Sequence, residues 1–227
     1  MKENIPKNLV PAFFNKTANS YDSIVHWTTF GKDSFWKKKI LEQITTEKSV
    51  LDLACGTGIL TEQIAQRVPQ VNIVGVDITA SYLEKAKEKL NSNPNVSFFN
   101  QDAENLDLGQ KFDCITTSYL PKYCNPAKLI KTCFEHLNDG GKIILHDFTY
   151  PKNRFVRKLW DFYFKVLFLI GPFIPSWNTV FVNLPNLIRN SNWANDYETE
   201  MRKAGLKTNL QELTWGSSAI LVGIKTA

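Results

Sequence analysis

From residue 48 to residue 148 the chain alternates short apolar runs with stretches whose apolar residues recur at helical spacing. Ser49–Leu53 predicts a first strand, and Ile59–Arg67 predicts the helix behind it, stopping before Pro69. Val71–Val76 predicts a second strand. Ala80–Leu90 predicts a helix with Tyr82, Leu83, Ala86 and Leu90 along one face and Ser81 as its candidate cap. A third strand, Val96–Asn100, follows an Asn-Pro-Asn turn. The fourth, Phe112–Thr117, is apolar at its centre, as in a strand buried on both faces. Ala127–Leu137 predicts a helix, Asn138-Asp139-Gly140-Gly141 its end, and Lys142–Asp147 a fifth strand. Such alternation predicts an α/β fold: a Rossmann-like, doubly wound parallel sheet with helices on both faces. Leu206–Leu213 and Ala219–Lys225 flank Thr214-Trp215-Gly216-Ser217 and predict an antiparallel C-terminal hairpin, which makes seven strands, mostly parallel.

The pattern divides one expected domain into four parts. These are a helical cap over 1–47, a cofactor-binding core over 48–148, a helical insertion over 149–193, and a C-terminal helix and hairpin over 194–227. Arg154–Ile170 crowds its basic residues at the front and is apolar nearly all round behind them. Lys165, Gly171 and the prolines at 172 and 175 argue against a membrane span, which needs roughly 20 uninterrupted apolar residues. Two readings remain for this helix: core packing, or aromatics that line a greasy pocket or rest on a membrane surface through 154–175. The amount of aromatic surface beside the crevice favours the second.

Composition narrows the classes. A chain of 227 residues, 43% hydrophobic and 22% charged, is a folded globular protein with room for a substantial core. The net charge of +5 comes without a basic block, so no nucleic-acid partner is expected. Cys55, Cys114, Cys124 and Cys133 form no C-x-x-C pair, and His26, His136 and His146 are scattered, so no metal site is expected. Met1–Pro6 lacks the apolar stretch of a secretory signal, and reduced thiols fit a cytoplasmic setting.

The chemistry gathers at Val50-Leu51-Asp52-Leu53-Ala54-Cys55-Gly56-Thr57-Gly58, a strand that feeds a helix through a glycine turn. Nineteen residues past Gly58 the second strand ends in Asp77, placed to hydrogen-bond a ribose hydroxyl pair. A dinucleotide motif would put a third glycine where Thr61 stands, and Asp52 beside the turn would repel pyrophosphate. A phosphate loop would need a lysine that this turn lacks. S-adenosylmethionine carries an ammonium and a sulfonium and no phosphate, so the acids favour it. Asp52, Asp77, Asp102, Ser118 and Asp147 all fall at or just past strand ends, the edge where open α/β sheets bind ligands.

These residues resemble the class I S-adenosylmethionine-dependent methyltransferases, and among them the demethylmenaquinone and ubiquinone C-methyltransferases. Phe14-Asn15-Lys16-Thr17-Ala18-Asn19-Ser20-Tyr21-Asp22 matches that family's F-x-x-x-A-x-x-Y-D opening, with Gly31 and Trp36 following. Asp102-Ala103-Glu104-Asn105-Leu106, Phe112–Tyr119, Asn138–Lys142 and the insertion around Arg157–Tyr163 also match. The resemblance implies Gly56, Thr57 and Gly58 at the cofactor's amino-acid end and Asp52 at its ammonium. It further implies Asp77 at the ribose, Asp102 and Ala103 at adenine, and Ser118 completing the wall. Tyr21, Ala54 and Ile78 complete the expected cofactor set.

Departures cluster on the acceptor side. The family's S-F-G-L-R-N is Ser118-Tyr119-Leu120-Pro121-Lys122-Tyr123 here, Lys37 replaces an arginine, and the family's T-G-G turn is Thr214-Trp215-Gly216. The expected reaction is ring-carbon methylation of a prenylated, demethylmenaquinol-like quinol. Oxygen methylation of another small acceptor and cofactor binding without catalysis are the alternatives. A base near the end of the fifth strand would take the phenolic proton. His146 and Asp147 are the candidates, Asp147 preferred by position, with Tyr119 and Tyr21 as donors or walls.

Overall fold

The computed structural model describes residues 9–14 and 16–226. Met1–Pro6, the start of the expected cap and Asn15 of the opening motif lie outside the described residues. Three helices come first: α1 (Leu9–Phe14), α2 (Tyr21–Thr28) and α3 (Lys32–Leu41). The alternating core follows as β1 (Ser49–Leu53), α4 (Ile59–Arg67), β2 (Asn72–Asp77), α5 (Ala80–Leu90), β3 (Val96–Asn100), β4 (Phe112–Ser118), α6 (Pro126–Glu135) and β5 (Leu137–Phe148). Two long helices, α7 (Arg154–Ile170) and α8 (Pro175–Asn190), precede α9 (Trp193–Lys203), β6 (Leu206–Leu213) and β7 (Ser218–Lys225).

The seven strands run in the order β3-β2-β1-β4-β5-β7-β6. β3 through β5 are parallel, and β7 pairs antiparallel with both β5 and β6. Strand order reverses between β1 and β4, which stay paired to Leu53 and Thr117, so the segments that leave their carboxyl ends diverge and open the crevice in which such sheets bind ligands. Val50, Leu51 and Leu53 are wholly buried because both faces of β1 are covered. On one face Leu51, Leu53 and Ile115 pack with Trp193, Tyr197 and Met201 of α9. On the other, Val50, Cys114 and Ile144 pack with Trp36, Ile40 and Ile64.

A third apolar cluster joins the N-terminal helices to the insertion. Phe13 and Val25 meet Trp160, Phe164 and Leu167 of α7 and Trp177, Val180 and Phe181 of α8. Tyr119, Tyr123 and Phe148, from the ends of β4 and β5, pack against it, which seats this layer over the crevice. Among the described residues no helix is long and apolar enough to cross a membrane.

Two local expectations are corrected. The residues read as a turn, Asn138–Gly141, belong to β5, because Leu137 already pairs with Phe112 across a register shift. Thr79, not Ser81, stands at the N-terminus of α5, and the Ser81 hydroxyl is buried with no hydrogen bond.

Candidate active site

The turn after β1 is built from left-handed backbone. Ala54, Gly56 and Gly58 have φ of 53°, 59° and 79°. A Cβ on Gly58 would stand 3.1 Å from the Ala86 Cβ and 3.3 Å from its Cα, so only glycine lets α5 pack against the turn. Asp77 fixes the turn from the next strand. Gly56 N–H donates to its Oδ2 at 2.9 Å, and Thr79 N–H to its Oδ1 at 2.7 Å. These bonds leave lone pairs on both oxygens. Burial raises the carboxyl above its ordinary range against the pull of these amides.

Asp52 is almost completely buried and accepts a hydrogen bond from Thr61 Oγ1 at 2.6 Å. Burial pushes its pKa up to about 7, with Thr61 and the nearby Lys37 ammonium holding it down. A hollow of about 30 Å³ beside it is lined by Lys37, Asp52, Gly56, Thr57 and Ser118. Two buried acids facing the crevice without a full cationic partner suit a positively charged ligand and oppose a diphosphate.

The cap latches onto this turn. Thr57 Oγ1 donates to Asp22 of α2, whose other oxygen meets Lys89 Nζ at 2.9 Å. Thr17 Oγ1 and Tyr82 Oη are 2.6 Å apart. The Tyr21 ring stacks on Trp177, centroids 5.9 Å apart, so cap and insertion close together beside the crevice.

The main cavity encloses about 450 Å³. Tyr21, Ala54, Gly56, Asp77, Ile78, Asp102, Ala103, Ser118 and Tyr119 line it, as do Trp160, Tyr163 and Phe164 of α7. Asp102 closes its own turn, accepting from Glu104 N–H at 3.0 Å and Asn105 Nδ2 at 2.8 Å. Asp52 and Thr57 line the small hollow instead, and Gly58 lines neither space.

The two residues expected to supply the base are both engaged elsewhere. Neither His146 nor Asp147 lines the cavity. His146 is wholly buried with Nδ1 2.8 Å from Ser118 Oγ and Nε2 2.8 Å from Ser218 Oγ, so both ring nitrogens are engaged. Burial, with Lys37 and Lys122 nearby, holds it well below the usual imidazole range, hence neutral. Asp147, also wholly buried, pairs through Oδ1 with Lys122 Nζ at 2.8 Å, while its Oδ2 accepts from Lys122 N–H at 3.1 Å. A buried carboxylate needs such a partner, and this one is engaged through both oxygens.

Three groups were not assigned roles from sequence. Lys122 lines the cavity, donates to Tyr119 O at 2.6 Å and lies 4.4 Å from the Tyr123 ring centre. Burial lowers its pKa below the ordinary lysine value, against the opposing pull of the Asp147 carboxylate. Asp33 and Lys37 form a buried ion pair, and Tyr119 Oη donates to Asp33 at 2.7 Å. Their four-residue spacing on a helix was the available signal.

A family model described as the ubiE/COQ5 methyltransferase family matches residues 2–225. The chain belongs to that family. It is an S-adenosylmethionine-dependent methyltransferase. Among relatives of the ubiE/COQ5 family, the ubiquinone/menaquinone biosynthesis C-methyltransferase UbiE of Campylobacter jejuni is 29% identical over 93% of this chain and 95% of its own. The demethylmenaquinone methyltransferase of Thermotoga maritima is 26% identical over 92% of this chain and 93% of its own. In fold, the chain is similar to the magnesium protoporphyrin IX methyltransferase of Synechocystis, solved with bound S-adenosylhomocysteine. That likeness has a TM-score of 0.69 at 17% identity and covers 97% of this chain and all of the other.

Proposed function

We propose that this enzyme methylates a ring carbon of a lipophilic, demethylmenaquinol-like quinol. One observation carries the reading. A single cavity runs from acids at the β2 and β3 ends to an aromatic wall built by the insertion. Its neighbours by sequence are named for ubiquinone and menaquinone biosynthesis.

Asp77 would take the ribose hydroxyls, Asp102 and Ala103 the adenine edge, and Ser118, held by His146, the wall between them. Asp52 would face the ammonium and Lys37 the carboxylate in the small hollow, with Gly56 and Thr57 closing over them. Bound there, the cofactor supplies an electrophilic methyl whose leaving group is neutral. Tyr21, stacked on Trp177, excludes water from that side. Ring-carbon attack needs an acceptor oxygen in its anionic form. Asp147 is held by Lys122 and both ring nitrogens of His146 are engaged, so the phenolic proton would leave to water at the cavity mouth. The Lys122 ammonium on the cavity wall would stabilise the anion left behind.

The outer side of α7 supports contact with a membrane surface. Phe155 and Phe162, seven residues apart on one helix side, are exposed beside Lys158, Leu159 is half exposed and borders the cavity, and Trp160, Phe164 and Leu167 face inward. A helix apolar on a second, unpartnered side with lysines at its edge suits an anionic bilayer, where the acceptor would reside.

Incubation with methyl-labelled S-adenosylmethionine and reduced demethylmenaquinone tests the reaction. The expected product carries the label on a ring carbon. Label on oxygen, or cofactor binding without turnover across quinol acceptors, overturns it.

A further inference from the structure

Among the described residues five that are not glycine have left-handed backbone: Phe30, Ala54, Tyr119, Thr214 and Trp215, with φ between 47° and 73°. All five line the main cavity. Strained backbone of this kind persists where surrounding structure enforces it and clusters at ligand sites. Ala54 belongs to the cofactor turn, and Tyr119 holds Asp33. Phe30 and Trp215 have no comparable internal task. They are 80% and 81% exposed, so each combines a disfavoured backbone with an aromatic ring given to solvent.

Both are held in place. Trp36 Nε1 donates to Thr214 Oγ1 at 2.7 Å, and Thr149 Oγ1 to Gly216 O at 2.8 Å, which clamps the β6–β7 turn on either side of Trp215. Phe30 follows α2 in a turn closed by Gly31 N–H to His26 O at 2.8 Å, and its ring lies 5.7 Å from that of Tyr163. Trp36 belongs to α3, which follows the Phe30 turn, and lines the same cavity as both aromatics.

We propose that Phe30 and Trp215 grip the hydrocarbon tail of the acceptor at the cavity mouth and set its specificity for tailed over tail-free rings. The proposal rests on the reading of the acceptor as lipophilic. The cavity of about 450 Å³ is shared by cofactor and acceptor ring, so an isoprenoid chain of several units leaves through the mouth. The flat aromatic faces of the two rings match a hydrocarbon chain.

The test uses Phe30→Gly, Trp215→Gly and the double variant in the full chain. Glycine accepts left-handed backbone freely, so the melting temperature is expected at or above wild type. The ratio of kcat/KM for an isoprenoid-tailed quinol to that for a tail-free quinol is expected to fall at least tenfold, chiefly through KM. Calorimetric binding of farnesol to the enzyme loaded with S-adenosylhomocysteine is expected to weaken at least tenfold in the double variant. An unchanged tail preference with unchanged farnesol affinity overturns the proposal, as does a wild-type enzyme that does not bind farnesol. A loss confined to binding of phosphatidylglycerol vesicles overturns it in favour of a membrane anchor. Farnesol binding that depends on the two residues, in an enzyme that methylates no quinol, keeps the grip and removes the acceptor-ring assignment instead.

Discussion

Lys122 Nζ and Asp147 Oδ1 lie 2.8 Å apart with side-chain exposures of 2% and 0%. The pair ties the segment after β4 to the end of β5, reinforced by Lys122 N–H on Asp147 Oδ2. Lys122→Met would strand a buried carboxylate and is expected to cost about 3–5 kcal/mol in urea unfolding. Lys122→Met combined with Asp147→Leu removes both charges and should recover most of that loss. If Lys122 also stabilises the acceptor anion, the recovered double variant stays slow. Wild-type turnover in that variant would confine Lys122 to the fold.

Cofactor affinity should depend on pH through Asp52. Its pKa is raised to about 7, so much of it is protonated and neutral below that pH and cannot pair with an ammonium. Affinity for S-adenosylmethionine is expected to rise with pH up to about 7 and level off above. Binding below about 7 should release a proton, visible as buffer-dependent calorimetric heat. Asp52→Asn should flatten the profile and weaken binding at pH 8 about tenfold, which is ~1.4 kcal/mol. An unaltered profile would take Asp52 out of the ammonium site.

The central strands were legible because burial on both faces leaves continuous apolar runs, as in β1, and α4, α5, α7 and the half-exposed edge strand β3 also fall where the pattern puts them. The charge of the cofactor was legible too, since Asp52 and Asp77 sit beside a glycine turn without a cation in sequence. The role of Asp147 was not. Alternation along a strand gives two faces, yet which one meets the cavity depended on Lys122 approaching from another segment, a tertiary pairing that periodicity does not carry. The same holds for Asp22, whose bond to Thr57 spans 35 residues and latches the cap. Trp215 gives no sign in sequence of its left-handed backbone, because its turn is held by hydrogen bonds from Trp36 and Thr149, whereas the Phe30 turn is closed locally by Gly31 N–H on His26 O.

The outer side of α7 makes a separable prediction. Phe155 and Phe162 are 70% and 66% exposed, so replacing both with glutamate should change stability by no more than about 0.5 kcal/mol per site. Binding to phosphatidylglycerol vesicles should nevertheless fall at least tenfold in sedimentation. Wild-type binding should weaken with salt, since Lys158 and Lys165 contribute through an anionic surface at about 1 kcal/mol each. Equal sedimentation of wild type and variant would leave this side of the helix without a membrane role.

His146 gives a stability prediction whose sign follows from its burial. In the unfolded chain an imidazole protonates near pH 6.5, whereas the folded ring, bonded to Ser118 and Ser218, resists protonation to well below that. Below about pH 6.5 the unfolded state therefore binds the extra proton, so the His146 contribution falls as pH falls. His146→Gln keeps a donor and an acceptor but cannot take up a proton. Relative to that variant, wild type should lose about 1 kcal/mol between pH 6.5 and 5.5, the slope of one proton per pH unit approached gradually. Asp52 contributes in the opposite direction, being protonated in the fold up to about 7, but it is common to both proteins and cancels in the difference. A difference in urea midpoints that stays flat across this range would mean that His146 titrates alike folded and unfolded. The ring would then have to reach solvent and give up its bond to Ser118.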